Sequence, residues 1–117
     1  MLPRHFPSHA YLVRHPSEPQ RSVVTQSPDA TVVAWLVPPG QAIPLHRHPA
    51  GQDTWTILAG RARYLVDAEG GSLPIQAGDV LVARTGDPHG VINEGPTDLV
   101  FVSVVSPAEA GYERLGA

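Results

Sequence analysis

Two histidines, His46 and His48, stand two residues apart in the segment GQAIPLHRHPAGQDTWTILAG, residues 40–60. Side chains of a β-strand alternate between its faces, so both rings would project to one side and Arg47 to the other. Their Cα atoms would lie about 6.5–7 Å apart, near enough for two imidazoles to converge on one metal ion. Asp53 follows a PAGQ turn and begins a second strand, DTWTILA. There Asp53, Trp55, Ile57 and Ala59 share a face by the same alternation. A third histidine, His89, lies in a second segment, GDVLVARTGDPHGVIN, residues 78–93, behind an RTGDP turn.

Other routes to chemistry are closed. The chain has no cysteine, which removes thiol catalysis, disulfides, iron–sulfur clusters and thiolate zinc sites. All eight basic residues are arginine, so neither a Schiff-base lysine nor a P-loop lysine is available. No G-x-S-x-G elbow occurs, and no serine neighbours a histidine of the two segments. Histidine, carboxylate, arginine, hydroxyl and metal remain, so any catalysis is expected to run through a metal ion. The net charge is −3, without a basic run, which argues against a nucleic-acid or anionic-membrane surface. No apolar stretch approaches the roughly 20 residues that span a bilayer. The first twenty residues offer neither an apolar core nor a cleavage site for secretion, so the expected address is the cytoplasm.

The elements that must position these residues are strands. Thirteen prolines and eleven glycines punctuate the chain at short intervals. Between them lie runs rich in Val, Ile, Thr and Trp, which suit a pleated, half-buried surface. Strands are expected near 10–15, 22–26, 31–37, 43–47, 53–59, 61–67, 73–76, 79–84, 89–93 and 98–105. In TVVAWLV and DLVFVSVV both faces are apolar, so these strands should be covered on both sides. One helical signal stands at the end: Ser106 as N-cap, Pro107 in the first helical position and Glu109 three residues after the cap. Gly111 and Gly116 would hold that helix to a turn. The reading is an all-β sandwich or barrel. At 117 residues it should form a single domain, 1–117, with an N-terminal arm (1–20), a barrel core (about 30–105) and a C-terminal tail (106–117).

The two segments together resemble the cupin superfamily. Its first motif runs here as Gly40, five residues, His46, one, His48, four, Asp53, six, Gly60, with Asp where the family has Glu. Its second runs as Gly78, five residues, Arg84, one, Gly86, two, His89, three, Asn93, with Arg84 where the family has Pro. Seventeen residues separate them, as in a small single-domain member of this RmlC-like class. The resemblance implies a double-stranded β-helix, or jelly-roll barrel, with one divalent metal ion in its mouth. Carried over by position, the implied ligands are His46, His48, Asp53 and His89. Three imidazoles and a carboxylate suit Fe, Mn, Ni, Zn or Cu alike.

Several alternatives stay open on the sequence. Asp is a methylene shorter than Glu, and neighbouring Gln52 could bind through its amide oxygen instead. The alternative for the histidines is a metal-free barrel that keeps polar residues in its mouth. Trp55 could wall a substrate pocket or belong to the core. Arg84 reads as a surface residue or a substrate clamp, Asn93 as a loop anchor facing the pocket. His5, His9 and His15 read as solvent-exposed residues of the arm. Gly40, Gly60, Gly78 and Gly86 should serve turns with positive φ. Two functional classes follow: a metal-dependent enzyme on a small oxygenated molecule (dioxygenase, lyase, isomerase or cyclase), or a non-catalytic binding or sensing module. A homodimer is expected, with one face of DLVFVSVV at the interface and AYLVRH adding a strand across it.

Overall fold

The computed structural model describes residues 2–116. After a 3₁₀ turn at Ser8–Tyr11 come β1 (Ser22–Gln26), β2 (Thr31–Val37), β3 (Ala42–Arg47), β4 (Gln52–Ala59) and β5 (Arg61–Leu65). β6 (Ser72–Gln76), β7 (Val80–Ala83), β8 (His89–Ile92), β9 (Leu99–Ser106) and β10 (Glu113–Arg114) complete the order. They form two antiparallel five-stranded sheets, β1-β2-β9-β4-β7 and β10-β3-β8-β5-β6. The architecture is all-β and of the jelly-roll kind. No helix among the described residues is long and apolar enough to cross a membrane.

The inner faces are the alternate apolar positions of each strand. Val37, Trp55, Ile57, Leu99 and Phe101 from the first sheet meet Ile43, Tyr64, Ile75 and Val91 from the second. Leu99 and Phe101 are wholly buried, each contributing about 1.5–3 kcal/mol relative to exposure. The core lies between the sheets, so a polar cluster at one end of the barrel need not supply the fold's stability. The four motif glycines do take positive φ, from 79° at Gly86 to 97° at Gly78. At Gly60 close approach adds to this, because a Cβ would lie 2.3 Å from the carbonyl oxygen of Asp98.

Two expectations about the ends need correction. Residues 10–15 form no strand. Prolines at 7 and 16 bracket the segment and leave it too short a free stretch to extend a ladder on either side. Its backbone instead closes the 3₁₀ turn through Ala10 N–H to the Pro7 carbonyl at 3.0 Å. At the other end the chain turns over 107–109 and then leaves the helical path. A helix stopped by Gly111 is too short to offset its nucleation cost. Pairing with the free edge of β3 supplies partners instead, Glu113 opposite Arg47 and Arg114 opposite His46.

Candidate metal centre

His46 and His89 are direct cross-strand partners on β3 and β8, with ring centroids 4.1 Å apart. His48 sits one residue past the end of β3 and keeps the same side, while Arg47 turns away to Glu113 at 2.8 Å. Asp53 reaches across from β4 of the other sheet. One potential ligand atom from each of these four buried residues lies within 4.8 Å of the others. Gln52, by contrast, is exposed on the opposite side of β4, with its amide directed to Thr54 Oγ1 at 3.3 Å.

Each ring is held from behind by a backbone carbonyl. His46 Nδ1 bonds Pro44 O at 2.8 Å, His48 Nδ1 bonds Gly111 O at 2.6 Å, and His89 Nδ1 bonds Asp87 O at 3.1 Å. A carbonyl only accepts, so Nδ1 carries the proton and the neutral ring presents a lone pair at Nε2. Asp53 Oδ2 meets two such atoms, His48 Nε2 at 3.2 Å and His89 Nε2 at 3.0 Å. Acceptors do not face acceptors at that distance without a proton or a cation between them. Asp53 Oδ1 is buried and meets no donor in good hydrogen-bond geometry, a state that costs about 1–3 kcal/mol, although the equally unpartnered Trp55 N–H is near enough to help hold the carboxyl low. The residues therefore fit a divalent ion: convergent lone pairs, an anionic oxygen without a partner, and fixed tautomers.

In the metal-free protein, protons must do the ion's work. Burial opposes ionisation of Asp53, but hydrogen bonds from His48 and His89 outweigh it and hold the carboxyl at about 2. The bond to Asp53 raises His48 above its usual value against the effect of burial. Burial, reinforced by the charge of His89, lowers His46 to about 4. The set resists carrying three protonated rings.

A cavity of about 200 Å³ opens beside the cluster, and His46, His48, Asp53 and Trp55 contribute to its wall. Trp55 serves the core as well: it is 2% exposed, stacked on Phe101 at 4.2 Å and edge-on to Tyr64 at 5.2 Å. Arg84 is exposed and outside this lining. Asn93 is outside it too; its amide donates to Val37 O and Thr97 O, both at 2.8 Å, and anchors the loop after β8. His5 and His9 are exposed, whereas His15 is half-buried and its Nδ1 accepts from Ser17 N–H at 3.2 Å.

Three contributors were not visible in the sequence motifs. Gly111 supplies the carbonyl behind His48, Tyr112 stacks on His46 at 4.9 Å, and Arg21 borders the cavity. Gly111 lies 63 residues from His48, and only a glycine in an otherwise helical signal hints at its positive φ of 80°.

Comparison with known proteins agrees with the fold. A structure from Klebsiella pneumoniae, an uncharacterised protein with a double-stranded β-helix domain, superposes with TM-score 0.94 at 41% identity, covering 99% of this chain and 100% of that one. An oxalate-binding protein of Thermotoga maritima is 36% identical over 69 residues, 59% of this chain. The match spans about half of that relative, 55% of its length. A predicted oxalate decarboxylase, also from Thermotoga maritima, superposes with TM-score 0.71 at 28% identity, covering 76% of this chain and 80% of that one. Residues 33–105 match the cupin domain. That span runs from β2 to the last turn of β9 and contains all four clustered residues, so the chain belongs to the cupin family.

Proposed function

We propose that this cupin holds one divalent metal ion through His46, His48, Asp53 and His89 and acts as an enzyme on a small oxygenated molecule in the adjoining cavity. The observation that carries the reading is the buried Asp53 carboxylate, faced by two imidazole Nε2 atoms and left with an unpartnered Oδ1. A divalent ion at that point supplies Lewis-acid polarisation of a ligand oxygen. The chain's own part is orientation and exclusion of water. Three carbonyls lock the rings, and Trp55 forms the floor between the cluster and the core. The oxalate-related descriptions of two relatives support a small carboxylate as the ligand class.

A non-catalytic binding or sensing module is the second reading, favoured by one relative's description as a binding protein. Aerobic and anaerobic incubation of metal-loaded protein with small oxygenated acids, followed by mass spectrometry, separates the two. Metal-dependent product formation supports the enzyme. Thermal stabilisation by a ligand without turnover supports the module, and the absence of both would sink each reading.

The assembly proposed is a two-fold homodimer through the outer face of the first sheet. Val32, Val104, Thr54 and Val82 form one uncharged row across β2, β9, β4 and β7, and Val102, Thr56 and Val80 form the next across β9, β4 and β7, where Ala34 of β2 is already buried within the chain. Val80 is 59% exposed and Val82 36%, a large apolar edge for a lone chain. The role once open to AYLVRH is withdrawn, since that segment forms no strand.

A further inference from the structure

The cavity beside the cluster has one cation at its rim. Arg21 lies just before β1, is exposed, and borders the cavity together with Glu18 and Pro19. Arg14, Arg47 and Arg63 each have a carboxylate partner, on Asp98, Glu113 and Glu94. Arg21, like Arg61, Arg84 and Arg114, has none among the described residues, but of these it is the one that borders the cavity. The inner wall is different in kind: Val33, Trp35, Ile43, Pro44 and Val105 line it, and its hydroxyl, Ser103 Oγ, already accepts from Trp35 Nε1 at 3.2 Å.

We propose that the ligand of this cavity is a small carboxylate with an apolar body, its carboxylate held by Arg21 and its body against Trp35, Val33 and Val105. The inference rests on the metal-binding reading above and names the ligand class for the same site. Charge points the same way. A divalent ion less the charge of Asp53 leaves the floor of the cavity positive, and Arg21 adds to it. Glu18 is the carboxylate that lines the cavity besides Asp53, so an anion is favoured near Arg21 and disfavoured near Glu18. Arginine is suited to the task because its planar fork matches a carboxylate. The apolar wall favours a carboxylate with an apolar body over a wholly polar diacid such as the oxalate named for two relatives, because a diacid would leave that wall uncovered.

The test uses metal-loaded wild type and Arg21→Gln, a change at an exposed rim residue that leaves the core untouched. Phenylacetate, phenylacetamide and acetate are titrated by calorimetry, with metal content measured on the same samples. Phenylacetate should bind wild type at least tenfold more tightly than either the amide or acetate. Arg21→Gln should lose at least tenfold for phenylacetate and little for the amide, at unchanged metal content. Equal affinity for acid and amide, equal affinity for acetate and phenylacetate, an unaffected Arg21→Gln, or no phenylacetate binding by the metal-loaded protein would each overturn the proposal. Absence of metal from wild type, with Arg21-dependent phenylacetate binding retained, would count against the metal reading and leave the carboxylate assignment standing.

Discussion

The Nδ1 of His48 lies 2.6 Å from the carbonyl oxygen of Gly111, joining the candidate metal centre to the C-terminal strap. Around that bond the strap is held by Ala50 N–H on Ala110 O at 3.0 Å and Leu115 N–H on Leu45 O at 2.9 Å. Tyr112, between them, lies over His46. Residues 110–115 thus orient two rings of the cluster although none of them offers it a ligand.

Gly111→Ala should therefore weaken metal binding without unfolding the barrel. Its Cβ would meet Pro49 at 2.8 Å, and φ is +80°, so the strap must shift and the carbonyl must leave His48. Loss of such an orienting contact typically costs 10–100-fold in metal affinity. Chelator competition on the variant should show a loss of about that size. Wild-type affinity in a folded Gly111→Ala protein would mean that the strap does not orient His48.

Asp53 and Gln52 separate cleanly by substitution. Asp53→Asn removes the charge at nearly constant shape, and metal affinity should fall by about tenfold or more. Gln52→Ala should be silent, because Gln52 is exposed on the other face of β4. Equal affinities in both variants, measured by calorimetry, would mean that the three histidines suffice.

Chelator-stripped protein should be most stable near neutral pH. His46 is lowered from 6.5 to about 4, so the unfolded chain takes up its proton first and stability falls as pH drops from 6.5 to 4. Asp53 is lowered to about 2, and its contribution disappears as pH drops further from 3.8 toward 2. His48 is raised, so its contribution is complete below 6.5 and is lost as pH rises through its folded value. Melting temperature against pH should decline on both sides, and His46→Gln should flatten the 6.5-to-4 limb relative to wild type. An unchanged limb in that variant would contradict the burial argument for His46.

What could be read from residues alone was what alternation and local spacing encode. TVVAWLV and DLVFVSVV became β2 and β9 because β-branched runs with two apolar faces have one comfortable place, the middle of a sheet. His46 and His48 converge because period 2 requires it, and Asp53 reaches them because its turn aligns β4 opposite. AYLVRH and SPAEAG carry real local signals, but the first closes a 3₁₀ turn between flanking prolines, and in the second the free edge of β3 outweighs a one-turn helix. Gly111 left only the hint of a glycine in a helical signal and Tyr112 left none, because both meet the histidines through contacts far along the chain.

Light scattering on the purified chain at tens of micromolar should return twice the monomer mass. Val102→Glu, in the centre of the outer face, should return the monomer mass with an unchanged fold, because a charge there would be desolvated between the subunits. A monomer mass for wild type would refute the proposed dimer.

Elemental analysis of protein saturated with divalent metal and then desalted bears on the central claim most directly. Wild type should retain about one ion per chain, and the double variant His46→Ala/His89→Ala only a small fraction, because two of four ligands are gone. Full occupancy in the double variant, or none in wild type, would contradict a metal centre built from His46, His48, Asp53 and His89.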